Sequence, residues 1–212
     1  MPSKQAHRDH VGGRWDEIGT LQSGFLVKQG LKPEDRLLDV GCGSLRGGIH
    51  FVRYLNDGHY YGFDIDQRLL GAGRRELAKA GLGDRRLTLL ADDAFRFAKF
   101  NQQFDYALAQ SVFTHLPFNV IMRCLAEIED ALVVGGRFYA TFFRNPGRRL
   151  NIEPYRASDE ITAFADSDPF FYDPDIFRWA VDGSSLEYEL IGEWNHPRNQ
   201  QMLKFTKMNG AG

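Results

Sequence analysis

The sequence predicts an α/β fold in which helices cover both faces of a mostly parallel sheet. Strand-like and helix-like segments alternate as far as residue 143, and this order makes neighbouring strands parallel because each crossover contains a helix. A tight glycine turn follows the first apolar segment, as at the ligand-binding edge of such sheets. The last two strand-like segments, 185–194 and 201–208, are separated by a short turn and are expected to pair antiparallel.

The first elements follow from the spacing of apolar residues. Residues 14–30 show a roughly helical apolar pattern, and a turn then leads to the first strand, 36–41. The next helix is predicted over residues 45–55, because apolar residues from Leu45 onward recur at intervals that place them on one helical face.

The central elements continue the alternation. A helix over residues 117–133 begins with a proline, which suits the first turn of a helix, and its apolar residues recur every three or four positions. Gly135 and Gly136 are expected to end this helix. The other predicted elements are strands 59–65, 86–91, 104–110 and 137–143 and helices 67–80 and 174–181.

Residues 144–172 interrupt the alternation of strands and helices. They contain prolines and aromatic residues without strong periodicity, which is typical of a functional segment. We therefore predict an N-terminal arm and cap helix in residues 1–30 and one domain over 31–212, with 144–172 inserted as a substrate lid. Four arginines of the insertion either attract an acidic group or form a solvated basic loop: Arg144, Arg148, Arg149 and Arg156.

The composition argues against several classes of protein. The formal net charge of −2 provides no general attraction for nucleic acid or for a membrane surface. No apolar run approaches the roughly 20 residues of a membrane span, and the polar first residues predict no secretory signal. Cys42 and Cys124 are the only cysteines, so a disulfide framework is excluded and a reducing, cytoplasmic location is expected.

Acidic and polar residues stand at the carboxyl ends of the predicted parallel strands, where ligands bind in such sheets. Asp64 follows Gly43 by 21 residues, which is close to the spacing at which a carboxylate binds both hydroxyls of a ribose. Asp93 is placed to accept a hydrogen bond from the amine of a base, or to cap the segment that follows it.

Several motifs, in this order, resemble the class I S-adenosylmethionine-dependent methyltransferases. They include the glycine turn in residues 39–43, the Gly-Phe-Asp-Ile-Asp segment 62–66 and the Ala-Asp-Asp-Ala segment 91–94. Phe-Asp-Tyr at 104–106 and the terminal hairpin continue the likeness. The resemblance implies S-adenosylmethionine as the cofactor and a seven-stranded sheet whose last strand is antiparallel.

The resemblance also implies roles for single residues. By position, the cofactor-binding residues would be Asp39, Gly41 and Gly43 along the methionine part, Asp64 at the ribose, Ile65 over the adenine, Asp93 with the adjacent Ala94 at the adenine amine, and Gln110 and Ser111 beside the methionine end. The chain departs from the family at Leu45, where a third glycine is expected. Arg46 either compensates by binding the cofactor carboxylate or faces the solvent from the helix.

Two histidines are candidates for a catalytic base, because a hydroxyl acceptor must lose a proton and histidine titrates closest to neutral pH. His115 follows the fourth strand, and His196 lies in the turn between the last two strands, so topology places both at the cofactor edge. Alternatively, His115 caps the helix that starts near Pro117, and His196 is an ordinary turn residue.

Together these features predict an S-adenosylmethionine-dependent methyltransferase that acts on a small molecule, at oxygen. The Asp/Asn-Pro-Pro-aromatic motif of many nucleic-acid methyltransferases is absent after the fourth strand, so no nucleic-acid partner is expected. Two alternatives remain open, namely a regulatory protein that binds the cofactor without catalysis and a nicotinamide-dependent oxidoreductase. The antiparallel terminal hairpin is unexpected for the oxidoreductase.

Overall fold

The centre of the molecule is a sheet of eight strands, seven of which form one continuous path. The computed structural model describes residues 6–147, 154–157, 161–164 and 166–210. The strands are β1 (Leu37–Val40), β2 (Tyr60–Asp64), β3 (Thr88–Ala91), β4 (Phe104–Ala109), β5 (Leu132–Arg144), β6 (Tyr155–Arg156), β7 (Thr162–Ala163), β8 (Phe171–Tyr172), β9 (Leu186–Glu193) and β10 (Gln201–Lys207).

The main path runs in the order β3-β2-β1-β4-β5-β10-β9. Neighbours from β3 to β5 are parallel, whereas β10 is antiparallel to both β5 and β9. This topology confirms the predicted seven-stranded, mostly parallel sheet with an antiparallel last strand. Because β9 runs in the same direction as β5, the turn that follows β9 opens at the same edge of the sheet as the glycine turn. The short β8 pairs in parallel with the end of β5, and β6 pairs with β7 outside the main sheet.

Helices cover both faces of the sheet, as predicted. They are α1 (Ala6–His10), α2 (Trp15–Lys28), α3 (Gly48–Tyr54), α4 (Gln67–Lys79), α5 (Phe118–Ala131) and α6 (Asp175–Ala180). Side chains alternate along a strand, so Leu38 and Val40 of β1 pack with apolar residues of α5 and α6, whereas Leu37 packs with those of α2, α3 and α4. Within the described part of the chain, no helix is long and apolar enough to cross a membrane.

Most predicted elements agree with the structure to within two residues, but two boundaries were wrong. The helix predicted from Leu45 begins only at Gly48, because Leu45 has a φ of 67° and belongs to a left-handed turn. The fifth strand begins at Leu132, so Gly135 and Gly136 lie within the strand and do not end a helix. There the pairing with β4 shifts register, and Gly135, with a φ of 80°, accommodates the irregularity.

The inserted segment 144–172 is attached to the main sheet at its C-terminal end. Phe171 and Tyr172 form β8, and the Phe170 backbone N–H donates to the Thr114 carbonyl at 2.7 Å. The Tyr172 hydroxyl also donates to the Leu116 carbonyl. These contacts join the insertion to the segment that follows β4, so both lie at the carboxyl edge of the parallel strands. Arg148 and Arg149, predicted as possible anion ligands, lie outside the described residues.

Candidate functional site

The glycine turn after β1 has no room for side chains at two positions. Gly41 and Gly43 have φ values of 69° and 54°, which L side chains rarely adopt. A Cβ at Gly41 would lie 2.4 Å from Val112 Cγ2, and a Cβ at Gly43 would lie 2.8 Å from Val11 Cγ1. Both glycines are therefore required by backbone conformation and by the close approach of neighbouring segments.

Leu45 occupies the position where the family has a third glycine, and it keeps a glycine-like backbone conformation. Its φ of 67° costs about 1–2 kcal/mol for an L residue. Its side chain is fully buried beside two further glycines, since a Cβ at Gly48 or Gly73 would lie within 3 Å of Leu45 side-chain atoms. Burial of a leucine side chain contributes about 2 kcal/mol and offsets the strain. The departure therefore changes the packing under the turn while the left-handed backbone is retained.

Asp64 connects the end of β2 to the glycine turn. Its carboxylate accepts hydrogen bonds from the backbone N–H groups of Gly43 at 2.8 Å and Asp66 at 2.9 Å. Burial raises the pKa of Asp64, and the two N–H donors oppose that shift. Ile65, the next residue, is 74% exposed at the same edge, which is unusual for a large apolar side chain and leaves it open to contact with a ligand.

Asp39 is buried at the end of β1, beneath the turn. The Tyr60 hydroxyl donates to its Oδ2 atom at 2.6 Å. Burial raises the pKa of Asp39 to about 7, against the opposing effect of the Tyr60 hydrogen bond. The neighbouring charge of Asp64 raises it further. A cationic group close to Asp39, such as an amine, would stabilise the ionised form of this carboxyl group.

The two acids after β3 have different surroundings. Asp92 is buried and accepts hydrogen bonds from the Ala94 backbone N–H and from the side chains of Arg96 and Lys99. Its bonds to the two basic side chains hold the pKa of Asp92 well below the usual range, despite the opposing effect of burial. The Asp93 side chain is 86% exposed at the sheet edge, with Arg96 3.6 Å away. The capping role that the sequence left open for Asp93 is thus performed by Asp92.

Gln110, at the end of β4, is the centre of a buried polar network. Its Oε1 atom accepts hydrogen bonds from Arg46 at 2.7 Å and from Gln22 at 2.8 Å. These two donors orient the amide, so its Nε2 group donates to Ser111 Oγ at 2.6 Å and lies 3.2 Å from His196 Nε2. The network therefore joins α2, the glycine turn, β4 and the β9–β10 turn.

Gln22 is a residue of this network that the sequence interpretation missed. It lies on the buried face of α2 together with Ile18 and Leu26, at helical spacing. A polar residue on an apolar helix face requires a buried partner, and this was the available signal. Gln200 and Thr141 were also missed. Gln200 exchanges hydrogen bonds with Ser111, whose φ is 58°, and Thr141 donates to Gln200 at 2.7 Å.

Arg46 is buried in the turn, so the alternative of a solvent-facing helix residue is wrong. Besides Gln110, its guanidinium donates to the carbonyls of Val11 at 2.7 Å and Gly13 at 3.0 Å, which holds the N-terminal arm over the glycine turn. Burial lowers the pKa of Arg46 to about 10, and the nearby charge of Arg198 contributes. Arg46 Nε and Ser44 Oγ are buried without a hydrogen-bond partner among the described residues. Both atoms could receive a polar ligand.

His196 is buried and stacks on Trp194, with ring centroids 5.4 Å apart. Burial lowers its pKa to about 4, and the charges of Arg198, Arg46 and Arg14 lower it further. His196 is therefore neutral at pH 7 and a weak base. Its contact with the Gln110 amide is more typical of a residue that positions its neighbours.

His115 lies in the 3-10 turn Phe113–His115 that follows β4. Its Nδ1 atom is 2.6 Å from Asp168 Oδ2, and both side chains are about half exposed. α5 begins at Phe118 without a side-chain cap, so the capping role left open for His115 is wrong. Asp168 was missed in the sequence because its partner lies 53 residues away.

A cleft of about 690 Å³ opens beside this edge, between the insertion, the end of β5 and the β9–β10 turn. The insertion supplies an aromatic and aliphatic wall. The residues that line the cleft are Arg14, Phe143, Arg144, Asn145, Pro146, Tyr155, Ala157, Ile161, Phe171, Pro197, Arg198, Asn199 and Gln201. Of these described residues, three are cationic and none is an Asp or Glu.

Comparison with known proteins identifies a methyltransferase domain within the chain. Residues 37–136 match the family model described as a methyltransferase domain. The fold resembles a magnesium protoporphyrin IX methyltransferase from Synechocystis PCC 6803 with bound S-adenosylmethionine (TM-score 0.65, 15% identity, 90% of this chain and 81% of that chain). It also resembles a glycopeptide N-methyltransferase complexed with S-adenosyl-L-homocysteine (TM-score 0.66, 14% identity, 98% and 99%).

A third similar structure is an S-adenosylmethionine-dependent methyltransferase from Clostridium acetobutylicum ATCC 824 (TM-score 0.68, 11% identity, 97% of this chain and 96% of that chain). At such low identities these likenesses concern the fold. The family match concerns the segment that contains the glycine turn and the ends of β2, β3 and β4. The cofactor is S-adenosylmethionine, and the nicotinamide and non-catalytic alternatives are therefore set aside. Residues 37–136 are thus a methyltransferase domain, and the chain has the fold of S-adenosylmethionine-dependent methyltransferases.

Proposed function

We propose that this enzyme methylates an oxygen atom of a small-molecule acceptor and that His115 is the base. The observation that carries the proposal is the hydrogen bond between His115 Nδ1 and Asp168, at 2.6 Å. This pairing favours the tautomer with its proton on Nδ1, so Nε2 can accept a proton from an acceptor hydroxyl. The carboxylate of Asp168 would stabilise the imidazolium that forms.

We further propose that the residues predicted from the family pattern hold the cofactor. Asp64 would bind the ribose hydroxyls, since its carboxylate is at the end of β2 and already bonded to the glycine turn. Arg46 would bind the cofactor carboxylate through its Nε group, which has no hydrogen-bond partner among the described residues. The other residues assigned to the cofactor are Asp39, Gly41 and Gly43 at the methionine part, Ile65, Asp93 and Ala94 at the adenine, and Gln110 and Ser111 beside the methionine end.

The bound cofactor supplies an electrophilic methyl group on a sulfonium. The work of the protein is then to align the acceptor oxygen with this group, to exclude water and to accept a proton. The acceptor oxygen gains the methyl group while its proton passes to His115 Nε2. His196, with its lowered pKa, is assigned to orienting the Gln110 amide in place of the catalytic role that the sequence suggested.

The cleft supports a small acceptor. Its volume of about 690 Å³ lies within the range typical of small-molecule sites, about 300–1,000 Å³. Tyr155, Ala157, Ile161 and Phe171 belong to the insertion, so we propose that residues 144–172 form a lid over the acceptor. A cytoplasmic location is proposed because both cysteines are buried and unbridged.

A labelled-methyl screen tests the assignment of the acceptor. The enzyme would be incubated with methyl-labelled S-adenosylmethionine and with separate sets of hydroxy, carboxy and amino compounds, and with total RNA. Mass spectrometry would locate the added methyl group. We expect label on an oxygen of a small compound. Label on nitrogen would contradict the oxygen assignment, and label in RNA would contradict the small-molecule assignment.

His115→Ala is expected to lower turnover by about 100-fold or more, because general-base catalysis contributes about 10²–10⁴-fold. Asp168→Asn should give a smaller loss, since the base remains but its orienting carboxylate is replaced. The measurements are kcat on the acceptor found by the screen and the affinity for S-adenosylhomocysteine, which should not change. His59→Ala is the control, because His59 precedes β2 at the opposite edge of the sheet. Wild-type turnover in His115→Ala would show that His115 is not the base.

A further inference from the structure

Ser111, the second residue after β4, has a backbone conformation that is unusual for a serine. Its φ is 58°, in the left-handed region that residues other than glycine and asparagine seldom adopt. Such a conformation is costly and persists only where the surrounding structure holds it. The contacts of Ser111 therefore identify the groups that keep the segment after β4 in place.

Two buried side chains hold Ser111. Its backbone N–H donates to Thr141 Oγ1 at 2.7 Å, and the Thr141 hydroxyl donates in turn to Gln200 Oε1, also at 2.7 Å. The amide of Gln200 contacts the Ser111 hydroxyl as well, with Oε1 at 3.0 Å and Nε2 at 2.8 Å from Ser111 Oγ. Gln200 thus closes a ring of hydrogen bonds that includes both the backbone and the side chain of Ser111.

Gln200 is itself fixed in place. The residue is buried, and its carbonyl accepts a hydrogen bond from Trp194 Nε1 at 2.9 Å. The next residue, Gln201, begins β10 and is paired with Phe142 of β5. A side chain whose backbone and surroundings are both fixed is suited to hold another residue in a costly conformation, because its own position is already determined.

The segment that starts at Ser111 leads to the proposed base. Thr114 Oγ1 donates to the Ser111 carbonyl at 3.1 Å, which ties the turn that carries His115 to Ser111. The Thr114 carbonyl accepts the Phe170 N–H at 2.7 Å, so the part of the insertion that contains Asp168 is joined to the same turn. Both members of the His115–Asp168 pair therefore depend on the position of Ser111.

The same segment also contacts the residues assigned to the cofactor. A Cβ at Gly41 would overlap with Val112 Cγ2, so the segment lies directly against the glycine turn. Gln110 Nε2 donates to Ser111 Oγ at 2.6 Å. A change in the backbone of Ser111 would thus move His115 relative to the cofactor residues. Methyl transfer requires the base, the acceptor and the methyl group to be aligned, so such a movement would slow the reaction.

We propose that Gln200 is a positioning residue for methyl transfer, which holds Ser111 in its left-handed conformation and thereby aligns His115 with the cofactor. This inference rests on the proposed function, in which His115 is the base. Gln200 takes no part in the transfer of the proton or of the methyl group. Its effect is on the geometry in which they move.

Gln200→Met tests the inference, because methionine has a similar size and lacks the amide. Turnover is measured on the acceptor found by the labelled-methyl screen. We expect kcat to fall about tenfold or more, since misplacing a group by about 1 Å can cost about 100-fold, while the affinity for S-adenosylhomocysteine stays close to wild type. Gln29→Met is the matched control and should keep the wild-type kcat. Gln29 accepts the Tyr139 hydroxyl at 3.4 Å, at the C-terminal end of α2. Wild-type kcat in Gln200→Met would overturn the inference.

Two substitutions of Ser111 separate an effect of Gln200 on the backbone from an effect on the serine hydroxyl. Glycine adopts the left-handed conformation without strain, so in the Ser111→Gly background Gln200→Met should lower kcat by less than about twofold. Alanine lacks the hydroxyl but keeps the costly φ and the N–H bond to Thr141, so in the Ser111→Ala background the loss should remain about tenfold. Equal losses in the two backgrounds would contradict the proposed role.

Nitrogen NMR of the His115 ring provides a measurement that needs no acceptor. The isotope-labelled full-length chain is saturated with S-adenosylhomocysteine, and the ring signals of His115 are identified by their loss in His115→Ala. In the wild type we expect the signals of the tautomer that is protonated on Nδ1. In Gln200→Met they should shift towards those of the exposed His10, whereas in Gln29→Met they should not change.

Thr141→Val ensures that the test does not depend on one variant. It breaks the same ring of hydrogen bonds at another member and should cause the same shift of the His115 signals. Urea denaturation shows which variants are folded. Unchanged ring signals in folded Gln200→Met or in folded Thr141→Val would overturn the inference.

Failure of this inference is distinguishable from failure of the proposed function. Loss of turnover in His115→Ala, together with wild-type kcat and ring signals in Gln200→Met, would support the base assignment and overturn the role of Gln200. Full turnover in His115→Ala, together with shifted ring signals in Gln200→Met, would contradict the base assignment and support the role of Gln200 in placing the His115–Asp168 pair.

Discussion

Asp64→Asn is expected to weaken the binding of S-adenosylhomocysteine by about 100-fold, because it removes the charge from two hydrogen bonds that each contribute about 1.5 kcal/mol. In the structure the Asp64 carboxylate already accepts the N–H groups of Gly43 and Asp66, at 2.8 and 2.9 Å. Its remaining lone pairs are assigned to the ribose hydroxyls. An asparagine has a single acceptor oxygen and cannot satisfy the backbone donors and a ribose diol together. Calorimetric titration with S-adenosylhomocysteine measures the loss.

Asp66→Asn is the matched control for this effect. Asp66 is two residues further on and caps α4 by accepting the Arg68 N–H at 2.8 Å. Asparagine is as good a cap as aspartate, so helix stability and cofactor affinity should both remain close to wild type. If folded Asp64→Asn binds S-adenosylhomocysteine as tightly as Asp66→Asn does, Asp64 does not hold the ribose.

Gly19→Ala is expected to lower the free energy of unfolding by about 1–3 kcal/mol, the usual cost of overpacking. A Cβ at Gly19 of α2 would lie 2.7 Å from the backbone oxygen of Arg46 and 2.9 Å from His50 Nε2. The backbone of the turn cannot yield as a flexible side chain would, so α2 must move outward. Since α2 carries Gln22, which donates to Gln110, cofactor affinity should fall as well. Urea denaturation and titration with S-adenosylhomocysteine measure the two effects.

Gly24→Ala offers a control within the same helix. Nothing lies within 4 Å of a Cβ at Gly24, which is exposed. Alanine is the better helix former by about 1 kcal/mol, so this variant should be more stable than the wild type. The two substitutions are chemically identical and are expected to have opposite signs. Stabilisation by Gly19→Ala would mean that α2 and the turn are not closely packed.

The order of strands and helices could be predicted because it follows from short-range patterns. The spacing of apolar residues predicts helix α5, and the short turn between the last two strands predicts the antiparallel β9–β10 pair. The glycine turn and Asp64 were also recognisable, since each motif is contiguous and their spacing along the chain is regular. The start of α3 was misplaced because Leu45 has an apolar side chain at helical spacing but a left-handed backbone.

The interior of the site could not be predicted in the same way. Gln22 and Gln110 are 88 residues apart, and His196 lies 86 residues beyond Gln110, yet all three share one network. Asp168 and Arg198 likewise acquire their roles from segments distant in the chain. That Asp92 performs the capping role in place of Asp93 was also not visible, because adjacent residues point in different directions only once the turn is formed.

Periodicity and turn chemistry are properties of a few neighbouring residues, so the local sequence was sufficient for the α/β fold and the glycine turn. The class of cofactor followed from the resemblance of several short motifs, in their order, to a known family. Which polar side chains meet, which histidine is buried and where the arginines converge depend on how α2, the insertion and the β9–β10 turn pack against the sheet. These arrangements were decided only by the tertiary structure, because burial and hydrogen bonding between distant segments have no counterpart in local sequence.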